Sequence, residues 1–143
     1  MEFDVVVRGG LVFDGRGRLP VRADLGIMSD RITAIGSLET ASAVDVVDAV
    51  GLSIAPGFID SHTHSDMRHK RPERECRDPP SRIARQSWID LVAFDHTTVI
   101  ESATFESPLT PPIVIRHVFV NGRQVVKDGE LTGARSGRVL SAA

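Results

Sequence analysis

No stretch within the first 55 residues of this 143-residue chain carries a convincing 3.6-residue apolar period. That removes most helical architectures from consideration. What recurs is a short apolar or β-branched run closed by glycine or a polar turn. Phe3–Arg8 stops at Gly9-Gly10, and Leu11–Phe13 stops at Asp14-Gly15-Arg16-Gly17. Arg22–Met28 and Arg31–Ile35 flank Ser29-Asp30, and Val44–Val50 and Leu52–Ala55 follow a small polar loop at 39–43. Beyond Gln86 the pattern resumes with Ile89–Phe94, a turn at Asp95–Thr98, then Ile113–Val120 and Arg123–Lys127. The segment Thr98–Pro108 reads as a short helical turn or an ordered loop. Asn121-Gly122 is the strongest short hairpin signal a sequence offers, and Asp128-Gly129 turns the chain into Glu130–Thr132. Strands at this spacing predict a mainly β fold, a small sandwich or barrel. Val5–Val7, Ile113–Ile115 and Val118–Val120 are expected to supply its opposing faces.

The middle of the chain differs in kind. Between Met67 and Arg85 stand seven basic residues (Arg68, Lys70, Arg71, Arg74, Arg77, Arg82, Arg85), with Glu73, Glu75, Asp78 and three prolines. Met67, Cys76, Ile83 and Ala84 are its apolar residues, so little there can be buried, and it reads as a charged linker. Interleaved aromatics are missing, and the rest of the chain holds 10 basic and 16 acidic residues. No nucleic-acid partner is expected.

A length of 143 residues suits one core rather than two. A formal net charge of −2 and the lack of any apolar run near the ~18 residues of a membrane span argue against a membrane partner. One cysteine, Cys76, excludes an internal disulfide and fits a reducing compartment. With no basic and apolar leader at Met1–Asp4, the expected location is cytoplasmic.

The chemistry is concentrated in Pro56-Gly57-Phe58-Ile59-Asp60-Ser61-His62-Thr63-His64-Ser65-Asp66. If Phe58–His64 is extended, Asp60, His62 and His64 share one face. Two imidazoles at i and i+2 can then turn their lone pairs toward one metal ion. They are half a site, because a catalytic zinc takes about three protein ligands and an open position. Asp60, Asp66, His69 or Cys76 could complete a set, and no spacing rule selects among them. His117 reads as a structural histidine in a strand, and His96 as a solvent-facing turn residue. No Ser-His-Asp spacing, phosphate loop or nucleotide fingerprint stands out.

Pro56-Gly57-Phe58-Ile59-Asp60-x-His62-x-His64 resembles the metal-binding first barrel strand of the amidohydrolase superfamily. Arg8-Gly9-Gly10, Ser29-Asp30-Arg31-Ile32 and Val47-Asp48-Ala49-x-Gly51 resemble the strands that precede it there. Asp90-Leu91-Val92-x-Phe94-Asp95, Ala103-Thr104-Phe105-Glu106, His117–Gly122 and Thr132-Gly133-Ala134-Arg135-x-Gly137-Arg138-Val139-Leu140 resemble the C-terminal end of the N-acyl-D-amino-acid deacylases. Two positions depart from the family: Ser29-Asp30 stands where many relatives have Asp-Gly, and His96 where proline is common.

The resemblance implies a small β-sandwich of the amidohydrolase (composite) type, built from N- and C-terminal strands. It also implies zinc held by His62 and His64, and hydrolysis of an N-acyl-D-amino acid. In the family a (β/α)₈ barrel of about 250 residues lies between the two sandwich halves. Here Ser65–Arg85 is twenty-one residues, so the expectation is a chain without a complete barrel. The resulting division is residues 1–55 as the N-terminal half, 56–66 as a remnant of the first barrel strand, 67–85 as linker and 86–143 as the C-terminal half. The family's cysteine ligand lies in a different setting, so that role is not transferred to Cys76. No residue is expected to be catalytic. A non-catalytic sandwich or interaction module is the rival reading, with copies associating through an exposed strand 58–64 and sharing a weak His-x-His metal site.

Overall fold

The computed structural model describes residues 2–58, 82–99, 104–107, 110 and 113–137. Nine strands are present among the described residues: β1 (Phe3–Val12), β2 (Val21–Met28), β3 (Arg31–Gly36), β4 (Ala43–Asp48), β5 (Ser53–Pro56), β6 (Asp90–Phe94), β7 (Ile115–Val120), β8 (Arg123–Lys127) and β9 (Glu130–Leu131). The described residues contain no helix, so the mainly β expectation holds. They therefore include no helix long and apolar enough to cross a membrane.

The strands join in the order β3-β2-β1-β5-β6-β7-β8-β9, with β4 branching from β1. N- and C-terminal strands thus build one structure, and they meet at the antiparallel pair β5–β6, where Ala55 lies opposite Val92 and Pro56 opposite Leu91. β1 is the organising strand. β2 takes one of its edges, while β4 and then β5 run parallel along the other.

The sequence predicts two strands separated by Gly9-Gly10; the structure instead runs one strand through them. The reason is a β-bulge. The register with β2 steps from Val7↔Leu25 to Gly10↔Ala23, so Arg8 and Gly9 together face Asp24. Gly9 adopts φ 72°, a left-handed conformation that glycine enters without steric cost. The bulge leaves the Gly9 N–H without a ladder partner, and the Asp24 carboxylate accepts it at 2.8 Å. The other oxygen of Asp24 accepts the Leu38 N–H at 2.7 Å. A buried acid therefore satisfies two part-buried backbone donors.

The far side of β3 is covered by the segment leading into β6. Ile32 and Gln86 exchange with it through Ile32 N–H to Ser87 O (3.1 Å) and Gln86 N–H to Ile32 O (2.7 Å), and Ile89 N–H reaches Asp30 O (3.1 Å). The Arg31 guanidinium lies 3.5 Å from the centroid of the Trp88 ring and donates to Gln86 O. Residues 86–89 thus line part of the outer edge of β3 through an isolated bridge at Arg31 and Trp88, and the open sheet curls around one core. Inside it sit Leu25, Ile27, Ile32, Ile54, Ile89 and Leu91, all almost fully withdrawn from solvent. Each such side chain contributes about 1.5–3 kcal/mol of burial free energy.

Two local readings change. Ile83, inside the expected linker, belongs to this core at 4% exposure. On β7 the core-facing residues are His117 and Phe119, whereas Val118 and Val120 are only half-buried and Ile113 is 78% exposed. The β7–β8 hairpin folds back toward β4, with Lys127 Nζ 3.4 Å from an Asp45 carboxylate oxygen. Both partners are half-exposed, so that ion pair adds little stability.

Candidate functional site

The residues singled out for metal binding, His62 and His64, lie outside the described residues, as do Asp60, Asp66, His69 and Cys76. Of the expected association strand 58–64, only Phe58 is described, and it is 79% exposed. Among the described residues no group of three or more His, Cys, Asp or Glu side chains could hold a metal ion. These residues therefore offer no set that fits zinc, and no chemical step is derived through one.

Two histidines are placed. His96 sits in the turn after β6, and its Nδ1 lies 2.9 Å from the Ser53 hydroxyl. The residue is exposed as expected, but its ring is tied to β5. A Ser–His contact invites a nucleophilic reading. Ser53, however, is fully buried, and the neighbouring Asp95 carboxylate is engaged by the hydroxyl and N–H of Thr97. A serine that cannot meet substrate is a structural partner, and this pair fastens the β5–β6 end.

His117 is 5% exposed and points into the fold from β7. Its Nδ1 receives the Gln124 side-chain amide at 3.1 Å and the Asp128 N–H at 3.4 Å. With donors on Nδ1, the neutral ring carries its proton on Nε2. Burial pushes its pKa below 6.5, and Arg116 and Lys127 push the same way. The Asp128 carboxylate and the Asp48 carbonyl oppose them. His117 is the satisfied structural histidine that its strand position suggested.

A folded-state pKa below the unfolded value has a definite consequence. Between the two values the unfolded chain binds more protons, so acid weakens the fold. The His117 contribution is fully present above about pH 6.5 and is lost as pH falls toward the depressed folded value. Urea unfolding at pH 7.5 and pH 5.5 should show lower stability in acid, and His117→Gln should flatten the difference. An unchanged pH slope in the variant would remove His117 as its source.

Comparison with known proteins gives relatives over part of the chain. No family model matches. D-aminoacylase of Alcaligenes xylosoxydans xylosoxydans is 55% identical over 64 residues, which is 45% of this chain and 13% of that enzyme. The N-acyl-D-glutamate deacylase of the same organism is 50% identical over 66 residues, 46% of this chain and 14% of the relative. The matched portion thus amounts to about an eighth to a seventh of those enzymes' length. Among solved structures, N-acyl-D-glutamate deacylase from Bordetella bronchiseptica, complexed with zinc and a phosphonate inhibitor, is 45% identical. It covers 47% of this chain and 14% of its own, with a TM-score of 0.45. The sequence identities, far above chance over more than sixty residues, carry the relationship. Over just under half its length, this chain is similar in sequence to D-aminoacylase and N-acyl-D-glutamate deacylase.

Proposed function

We propose that this chain is a deacylase-type β module that carries the His62/His64 pair but does not hydrolyse N-acyl-D-amino acids by itself. The observation that supports this is the ladder joining Gly57 to Asp90. Gly57 N–H donates to Asp90 O at 2.7 Å, directly beyond the Pro56↔Leu91 pair. The interval enclosed, residues 58–89, is thirty-two residues long. A (β/α)₈ barrel needs about 250 residues, and its βα loops form the substrate pocket. Amide hydrolysis needs walls that orient the acyl group, exclude water and stabilise the oxyanion. Two histidines on one segment supply neither those walls nor a third ligand.

A second reading follows from the relatives' names: the chain as a metal-dependent hydrolase of N-acyl-D-amino acids. One assay separates the two. Zinc-loaded protein should show no saturable turnover of N-acetyl-D-methionine above the rate of free zinc. Saturable turnover abolished by both His62→Ala and His64→Ala would establish the hydrolase reading instead. If that turnover rose with the square of protein concentration, pairing of copies through 58–64 would be completing the site.

A further inference from the structure

At the far end of the β7–β8 hairpin a cavity of about 310 Å³ opens to solvent, lined by Asn121, Arg123, Arg135, Ser136 and Gly137. Two parts of the chain form it, the hairpin turn and the segment after β9. The Asn121 side-chain amide clamps them together by donating to Ser136 O at 2.7 Å. Asn121 can do this because it holds φ 48° at the turn, with its backbone N–H accepted by Asp90 Oδ1 at 2.9 Å.

The charge around this cavity is unbalanced. At the opposite end of the same hairpin, Arg116 lies 3.7 Å from Asp128, and Lys127 lies 3.4 Å from Asp45. Arg123 and Arg135 have no such partner among the described residues, whether by ion pair or by side-chain hydrogen bond. The Ser136 hydroxyl is buried at the cavity's edge and likewise has no partner. The Asp90 carboxylate, at this end of the fold, accepts the Asn121 N–H and makes no ion pair with either arginine among the described residues. Two cationic forks and an unused hydroxyl surround a space of small-molecule size.

We infer that this cavity is an oxyanion site that takes a small dianion, a phosphate or a dicarboxylate, between Arg123 and Arg135. Guanidinium forks match the planar edge of a carboxylate or two oxygens of a phosphate, and each fork supplies paired N–H donors. The dianion neutralises both arginines, and Ser136 turns its hydroxyl about χ1 to donate to it. Because one arginine belongs to the hairpin and the other to the following segment, the bound anion links them and reinforces the Asn121 clamp. Ligand binding of this kind also stabilises the folded state.

The test is an NMR titration of the full chain at constant ionic strength, with inorganic phosphate and succinate as separate arms and chloride as the control. Amide signals of Asn121–Arg123 and Arg135–Gly137 should shift saturably with phosphate, succinate or both, and not with chloride. The arm that saturates at lower concentration identifies the ligand class. Arg123→Gln and Arg135→Gln should each weaken binding about tenfold, and the double variant should abolish it. Arg22→Gln, which removes a charge from β2, should leave it unchanged. The inference fails if neither anion shifts these signals saturably. It also fails if Arg22→Gln weakens binding as much as the cavity variants, since the effect would then be diffuse charge. Comparison of the remaining amide spectrum confirms that each variant is folded.

Discussion

Gly122→Ala should destabilise the fold by at least about 3 kcal/mol, a large effect for a single methyl group. Gly122 holds φ 79°, and a non-glycine residue there costs about 1 kcal/mol by itself. The larger share is steric. A Cβ at this position would stand 2.1 Å from the Ser29 carbonyl oxygen and 2.7 Å from the Asp30 Cα. Both are backbone atoms of the β2–β3 turn, so no rotamer change relieves the overlap. The two turns must separate, and their separation strains the bonds Gly122 N–H to Ile89 O and Ile89 N–H to Asp30 O, each 3.1 Å. Gly133→Ala is the control. It shares a positive φ of 78° but meets nothing within 4 Å, so it should cost only the conformational part. Urea unfolding of the two variants separates the effects; equal losses would show that contact with the β2–β3 turn is unimportant.

Asp24→Ala should cost about 3 kcal/mol, since it removes two hydrogen bonds to a charged acceptor at about 1.5 kcal/mol each or more. Truncation leaves the N–H groups of Gly9 and Leu38 without their acceptor in part-buried surroundings. Asp24→Asn should lose nearly as much, because one oxygen becomes an amide nitrogen facing a donor. Unfolding free energies and the amide shifts of Gly9 and Leu38 report this directly. A loss under about 0.5 kcal/mol would mean that water replaces the carboxylate.

The strand spacing and the hairpin at Asn121-Gly122 were legible because each rests on local residue chemistry, whereas the joining of N- and C-terminal strands was legible only through the family resemblance. What escaped the sequence depended on long-range partners. Gly9-Gly10 looks like a stop signal, and it becomes a bulge only because Asp24, fifteen residues on, accepts the extra N–H. On β7 the apolar pattern favoured Val118 and Val120 for the core. The inward face instead takes His117, a polar residue that the interior tolerates because Gln124 and Asp128 satisfy it. Ile83 was concealed by its charged neighbours; its burial depends on the Asp14 carbonyl, which receives its N–H at 3.2 Å. The His62/His64 motif was readable as two candidate ligands, but a metal centre is a property of converging segments, and spacing along one segment does not determine convergence.

The Gly57–Asp90 bond has a consequence for how such a fold can change over generations. The chain leaves the sheet and re-enters it through adjacent positions of one antiparallel ladder, about 5 Å apart. That arrangement is a socket. Loop closure costs only about 0.6 kcal/mol for each doubling of the enclosed length, so three doublings, from thirty-two residues to roughly 250, cost about 2 kcal/mol. An insert of either size whose own ends lie close together can occupy the socket without repacking Leu25, Ile54 or Leu91 around it. The host is indifferent to its cargo, and gain or loss of a whole domain at this point is a small thermodynamic step.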